Sequence, residues 1–129
     1  MASIPQSHQD IIQRSQIVML GTNGPDGEPQ ITALWFHFDG DTVRMSIADS
    51  RQKLKNLQRD PRFSALFVDP ENPYRTIELR GRGDIEPDPN YEFAAKVGEK
   101  YNSDLREMDG PGENRTVVTL VVTKVNTFG

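Results

Sequence analysis

The chain of 129 residues contains no cysteine, two histidines and one tryptophan. The absence of cysteine excludes disulfide bonds, thiolate metal ligands and a cysteine nucleophile, and two histidines argue against a multi-histidine metal centre. No stretch approaches 18 consecutive apolar residues, so we expect no membrane-spanning helix. The first residues lack the basic and then apolar segments of a signal peptide. We therefore expect a cytoplasmic protein that binds neither a metal nor a membrane.

Acidic residues outnumber basic residues by 19 to 15, which gives the chain a net charge of −4. This sign disfavours a protein that coats nucleic acid, so we expect no nucleic-acid partner. The segment 44–62 is different, because it holds six Lys or Arg residues against two Asp residues, a net charge of +4. One short basic segment in an acidic chain indicates a local site for an anionic ligand.

Turn residues and apolar runs divide one domain, residues 1–129, into strands and helices. The pattern predicts hairpin turns at 23–27 and 39–41 and six strands, at 17–20, 29–38, 42–48, 63–68, 74–85 and 115–125. It predicts three helices, at 6–15, from 49 or 50 to about 57, and at 87–101, with a polar loop at 102–114. Gly81 and Gly83 inside the fifth strand predict a bulge, a bend or a close backbone approach. This pattern is typical of a mainly antiparallel β domain with short helices, either a barrel or a sandwich.

The segment 46–57 joins a strand end to the start of a basic helix. Asp49 or Ser50 is positioned to cap this helix through a side-chain oxygen, and Arg51 and Lys53 fall in its first turn. A helix N-terminus offers unpaired N–H donors and a partial positive charge. Two cations placed there favour the binding of a phosphate or carboxylate. The alternative is an ordinary solvated helix face, which the pattern alone does not exclude.

Four other side chains have both a functional and a structural interpretation. Trp35 suits a core, a dimer interface or the wall of a pocket for an aromatic ligand, and His37 suits a proton donor or a structural position. Tyr74 and Arg75 can stack on a flat ligand and grip an anion, or can simply follow a turn. The sequence contains no GxSxG, HExxH or GxGxxG motif. An enzyme of this sequence would therefore need a cofactor to supply its reactivity.

Three segments taken together resemble the pyridoxamine-phosphate-oxidase-like split β-barrel family. They are 27–36 (GEPQITALWF), 46–62 with its Arg-x-Lys-x-x-Asn-Leu-x-x-Asp-Pro-Arg pattern, and 72–81, which begins Asn-Pro-Tyr-Arg. The order and spacing of these motifs are similar to the family over roughly residues 8–125. Within the family, the Arg-x-Lys-x-x-Asn-Leu form most resembles the branch that uses coenzyme F-420. This coenzyme is an 8-hydroxy-5-deazaflavin with a phosphate and a polyglutamate tail.

The resemblance implies a six-stranded antiparallel split β-barrel that forms a homodimer with two cofactor grooves at its interface. It implies that Arg51 and Lys53 hold the cofactor phosphate and that Gln52 and Asn56 support this grip. The other cofactor contacts that it implies are Gln30, Thr32 and Leu34 along the ring, Ser46 and Ile47 through backbone and hydroxyl groups, and Tyr74 and Arg75, which can come from the partner chain.

The function that the resemblance implies is a reductase. It would transfer a hydride from reduced deazaflavin to an activated double bond of a small organic acceptor, such as an unsaturated lactone or a quinone-like molecule. The protein would fix the distance and the face of attack, and no side chain is predicted to be the proton donor. The alternatives are an FMN-dependent oxidoreductase of the same fold and a non-catalytic protein that binds flavin, deazaflavin or haem.

Overall fold

The computed structural model describes residues 2–129, which form seven β-strands, four α-helices and one 3-10 turn. The strands are β1 (Val18–Asn23), β2 (Pro29–Leu34), β3 (His37–Phe38), β4 (Val43–Ala48), β5 (Arg62–Asp69), β6 (Asn72–Pro87) and β7 (Arg115–Phe128). The helices are α1 (Gln9–Arg14), α2 (Gln52–Arg59), α3 (Glu92–Tyr101) and α4 (Leu105–Met108), and the 3-10 turn Gln6–His8 precedes α1. Across the described residues, every helix is too short or too polar to cross a membrane.

All seven strands form one antiparallel sheet in the order β2-β1-β5-β6-β7-β4-β3. β2 and β3 are its two edges, yet only Trp35 and Phe36 separate them along the chain. The sheet must therefore curl until its edges approach each other at this point. The result is an open barrel with short helices, which confirms the predicted mainly antiparallel split β-barrel.

The strand count differs from the prediction, because the continuous strand expected at 29–38 is divided into β2 and β3. Phe36 is fully buried at the division. Its backbone N–H donates to the Tyr101 hydroxyl at 3.1 Å, and its carbonyl accepts a hydrogen bond from Lys100 at 3.0 Å. Helix α3 thus satisfies backbone groups that a neighbouring strand would otherwise pair. The structure therefore has seven strands, where the sequence predicted six.

The main core fills the barrel and also holds α1 and α2 in place. Its largest fully buried side chains include Ile11, Ile12, Leu20, Phe36, Met45, Leu54, Leu57, Phe67, Ile77 and Leu79. Leu54 and Leu57 come from α2, as their spacing predicts, and burial of each contributes about 1.5–3 kcal/mol. They fix α2 against the sheet, so the position of its N-terminus is fixed as well.

Gly81 lies at a bulge in the pairing of β6 with β7. Arg80 pairs with Lys124 and Gly81 with Val122, so one residue of β7 is left over between them. A Cβ atom at Gly81 would collide with the carbonyl oxygen of Val121. Both the bulge and the close backbone approach expected at this glycine are therefore present, with the extra residue, Thr123, on β7.

A second, smaller core lies under α3 and α4. It contains Tyr91, Phe93, Ala94, Val97 and Leu105. The segment predicted as a loop at 102–114 therefore includes a short helix, α4, whose first amide groups bond to the Asp104 carboxylate. The partly buried Trp35 and Tyr101 pack against this core. It places α3 and α4 beside the division between β2 and β3.

Candidate functional site

Helix α2 begins without a side-chain cap, which contradicts the predicted cap at Asp49 or Ser50. Its N-cap residue is Arg51, and no side chain accepts a hydrogen bond from the first amide groups. The Asp49 carboxylate instead accepts a hydrogen bond from the Thr116 hydroxyl at 2.7 Å, and the Ser50 hydroxyl donates to Glu113 at 2.7 Å. These bonds tie the β4–α2 connection to the start of β7. The N–H groups of Leu54 and Lys55 bond to the Arg51 carbonyl, so among the described residues the N–H groups of Gln52 and Lys53 are those without an acceptor.

Arg51 and Lys53 line one cavity of about 280 Å³ at the start of α2. Among the described residues, neither cation forms an ion pair. Partial burial, and to a smaller extent the charge of Arg51, lower the pKa of Lys53 below its ordinary value of 10.5. The positive charge of Arg51 thus disfavours the charged form of Lys53. An anion bound beside the two side chains would offset this repulsion.

A third cation in this cavity, Arg115, is absent from the residues that sequence reasoning selected. Its guanidinium donates to both oxygens of Asp109, at 2.7 and 2.8 Å, and to the carbonyl of Ser46 at 3.2 Å. Tyr91 donates its hydroxyl hydrogen to Asp109 at 2.7 Å, and the bonds from Arg115 are the largest cause of the lowered pKa of Asp109. Asp109 is thus the ion-pair partner of Arg115, and its charge acts on Arg51 only at longer range.

The remaining lining of the cavity is mostly apolar. Besides Ser46, it consists of Ala33, Leu34, Trp35, Ile47, Ala48, Val97, Leu105 and Met108. Leu34, Ser46 and Ile47 are predicted site residues, and the structure brings them together with Arg51 and Lys53. The sequence did not predict that side chains of α3 and α4 line this cavity. The three-residue spacing of Leu105 and Met108 was the one local pattern that indicated a shared helix face.

Behind α2, four polar side chains form a continuous hydrogen-bonded chain. The amide nitrogen of Gln52 donates to the oxygen of Asn56 at 2.9 Å, and the Asn56 nitrogen donates to Gln30 at 3.0 Å and to Thr22 at 3.1 Å. Asn56 is fully buried. The structure thus joins three predicted residues, Gln30, Gln52 and Asn56, in one network that couples α2 to β2 and β1.

Three predicted site residues belong neither to the cavity lining nor to the hydrogen-bonded network of Asn56; they are Thr32, Tyr74 and Arg75. The Thr32 hydroxyl is buried without a hydrogen-bond partner among the described residues, on the face of β2 that also carries Gln30 and Leu34. Tyr74 is 76% exposed at the start of β6. Arg75 donates to Asp10 and Asp69, at 3.0 and 2.7 Å, so its guanidinium anchors α1 to the β5–β6 turn. Within one protomer, Tyr74 and Arg75 do not line the cavity.

The lowered pKa of Lys53 predicts a pH-dependent affinity for anions. An anion binds the protonated ammonium, so affinity is highest near neutral pH and falls as the pH rises through the lowered pKa of Lys53. The fall begins at a lower pH than an ordinary lysine would give. Titration calorimetry with inorganic sulfate, whose own charge does not change between pH 7 and pH 10, measures it. A Lys53→Arg variant, whose charge persists over this range, should remove most of the dependence.

The curled sheet and the cavity lined by Arg51 and Lys53 at the uncapped start of α2 define a split β-barrel with a cationic groove. The family model described as pyridoxamine 5'-phosphate oxidase matches residues 4–129. The chain belongs to the pyridoxamine 5'-phosphate oxidase family, which confirms the resemblance carried by its motifs.

Solved structures support the same assignment. A protein described as F420 reductase is 32% identical, with a TM-score of 0.83 over 95% of this chain and 98% of that one. The protein Rv2991 from Mycobacterium tuberculosis is 25% identical, with a TM-score of 0.75 over 97% of this chain and 84% of that one. HutZ, a haem storage protein from Vibrio cholerae, has a TM-score of 0.76 at 12% identity over 99% and 96% of the two chains, so it shares the fold alone. The family and the reductase indicate an oxidoreductase.

Proposed function

We propose that this protein is a coenzyme F-420-dependent reductase that transfers a hydride to an activated double bond of a small organic acceptor. The observation that carries the proposal is the placement of Arg51 and Lys53, which form no ion pair within residues 2–129, at an uncapped helix start in a largely apolar cavity. The similarity to an F420 reductase over nearly the whole of both chains favours the deazaflavin over other phosphate-bearing cofactors.

The residues present fit such a cofactor. Arg51, Lys53 and the first-turn amide groups of α2 would hold its phosphate. Gln52 and Asn56 would keep α2 in place through their bonds to β2 and β1. The orphaned hydroxyl of Thr32 is a buried polar group that a ligand would satisfy. Its neighbours Gln30 and Leu34, together with Ser46 and Ile47 on β4, would meet the ring system.

The cofactor, when bound in reduced form, would supply the hydride from its C5 atom. The chain itself would bind and orient the reactants, because its apolar side chains exclude water while its cations hold the anionic arm. Histidine does not enter this scheme. Neither His8 nor His37 lines the cavity among the described residues, and burial lowers the pKa of His37 in β3. Within one protomer, this cavity would therefore offer a haem no imidazole ligand.

We also propose a homodimer, with the outer face of the sheet as its interface. Ile31 on β2, Tyr74 on β6 and Phe128 on β7 are large apolar side chains that are at least 67% exposed. Pairing two such faces would cover these side chains, and the proposed contact of Tyr74 with the partner's cofactor would be made at this interface. Light scattering of the purified protein at micromolar concentration should therefore give twice the chain mass of 14.6 kDa. A monomeric mass would contradict the shared groove.

Titration of the purified protein with oxidised coenzyme F-420, FMN and haem tests the cofactor. Tight binding of the deazaflavin, and rapid oxidation of its reduced form when menadione is added, are the results expected of the proposed reductase. Preference for FMN would instead establish a flavin oxidoreductase of the same fold. Binding of the deazaflavin without turnover by any quinone or unsaturated lactone would indicate a carrier rather than an enzyme.

A further inference from the structure

Trp35, the single tryptophan of the chain, lies where β2 ends and contributes to the cavity lining. One face of its indole ring is covered by Tyr101, with ring centroids 4.3 Å apart and planes inclined by 4°. Among the described residues that line the cavity, Tyr101 is absent. Because Tyr101 covers one face of the indole, a further ring could stack only on the opposite face.

Tyr101, which stacks on Trp35, is fixed by hydrogen bonds. The Tyr101 hydroxyl accepts a hydrogen bond from the Phe36 N–H at 3.1 Å and lies 2.8 Å from the Gln16 carbonyl, to which it donates. Lys100 donates to the Phe36 carbonyl and lies over the Phe36 ring, 3.5 Å from its centroid. An aromatic surface that is already fixed loses little conformational entropy when a ligand stacks on it.

The neighbours of Trp35 in the cavity suit a flat apolar group. Val97 and Leu105 are buried, whereas Met108 lines the cavity and is still 62% exposed. A methionine side chain has three rotatable bonds and a polarizable sulfur that contacts aromatic rings favourably. The cavity therefore combines a grip for an anion with an aromatic surface and an adaptable thioether.

The geometry points to Trp35 as the surface on which a planar conjugated ring of the ligand stacks, with Met108 as the adjustable contact beside it. This inference rests on the proposed function for the identity of the ring, which is either the deazaflavin of the cofactor or a quinone-like acceptor. Both rings share the chemistry that an indole face recognises, namely an extended flat π-system. The arms of the experiment separate these two sources.

The experiment compares wild type, Trp35→Leu and Trp35→Phe by titration calorimetry. The probes are oxidised coenzyme F-420, FMN, inorganic phosphate, and menadione added to protein saturated with coenzyme F-420. We expect Trp35→Leu to weaken the stacked ligand about three- to tenfold, the range expected for an aromatic pair. Trp35→Phe should restore most of the affinity, and the affinity for phosphate should be unchanged.

A loss confined to coenzyme F-420 and FMN assigns the stacked ring to the cofactor, and a loss confined to menadione assigns it to the acceptor. Unchanged affinity for every ring ligand would overturn the inference, as would an equal loss for phosphate, because Trp35 would then be only structural. Should Trp35→Leu fail to fold, Met108→Ala at its exposed position replaces it, with a smaller loss expected for the same ligand. If wild type ignores coenzyme F-420 but binds FMN in a Trp35-dependent way, the proposed function fails while the inference stands.

Discussion

Replacing Arg51 and Lys53 together by Ala is expected to weaken cofactor binding by roughly 2–5 kcal/mol, which is about 30- to 5,000-fold in Kd. Each side chain can form a charge-assisted hydrogen bond with a phosphate, and neither has an acidic partner in the described residues to which it would otherwise be bound. The free energy of these hydrogen bonds should therefore be lost from cofactor binding without compensation from another ion pair. Fluorescence titration of oxidised coenzyme F-420 into both proteins measures it.

The matched control removes two other positive charges from the surface. Lys55 is exposed on α2 and Lys124 is exposed on β7, and neither lines the cavity. The Lys55→Ala/Lys124→Ala variant changes the net charge of the chain by the same amount, so it reports the long-range contribution of charge alone. Its Kd should stay close to that of wild type at physiological salt. An equal loss in the two double variants would contradict a phosphate grip at Arg51 and Lys53.

Local patterns were enough to predict much of the frame around this site. The Asn-Gly and Asp-Gly pairs predict the β1–β2 hairpin, which the register from Val18–Leu34 to Asn23–Pro29 confirms. The spacing of Leu54 and Leu57 predicts the buried face of α2, and so the outward position of its basic residues. These inferences succeed because each depends on residues within one turn or one helix face.

The parts that sequence reasoning missed depend on contacts between distant residues. Arg115 reaches the cavity because it pairs with Ala48 across the β4–β7 ladder, a register that no local periodicity encodes. The predicted cap at Asp49 or Ser50 is wrong for the same reason, since their partners Thr116 and Glu113 lie 67 and 63 positions away along the chain. Capping rules consider only the residues of the helix. The Asp49 and Ser50 side chains instead bond to groups at and just before the start of β7.

The ion pair of Asp109 with Arg115 is expected to stabilise the wall of the cavity, so Asp109→Ala should lower the free energy of unfolding by about 2 kcal/mol. The estimate lies between the value for exposed pairs and the larger cost of breaking a buried one, because the two side chains retain 9% and 12% exposure. Removal of the carboxylate also deprives the Tyr91 hydroxyl of its shorter hydrogen bond, at 2.7 Å, and leaves it the Glu113 carbonyl at 3.2 Å. Urea unfolding at neutral pH gives the difference between the variant and wild type.

The pH dependence of this difference identifies its origin. Arg115 lowers the pKa of Asp109 in the folded state below the ordinary 3.8, so the stabilisation is complete above about pH 5 and is lost as the pH falls through the lowered pKa. Wild type and Asp109→Ala should therefore converge in stability in acid. The control is Arg62→Ala, which breaks the Asp60 pair at a position where the arginine is 70% exposed, and it should change stability little. The ion pair would not be the source of the stabilisation if Arg62→Ala lowered the free energy of unfolding as much as Asp109→Ala. The same conclusion would follow if the difference between wild type and Asp109→Ala stayed unchanged in acid.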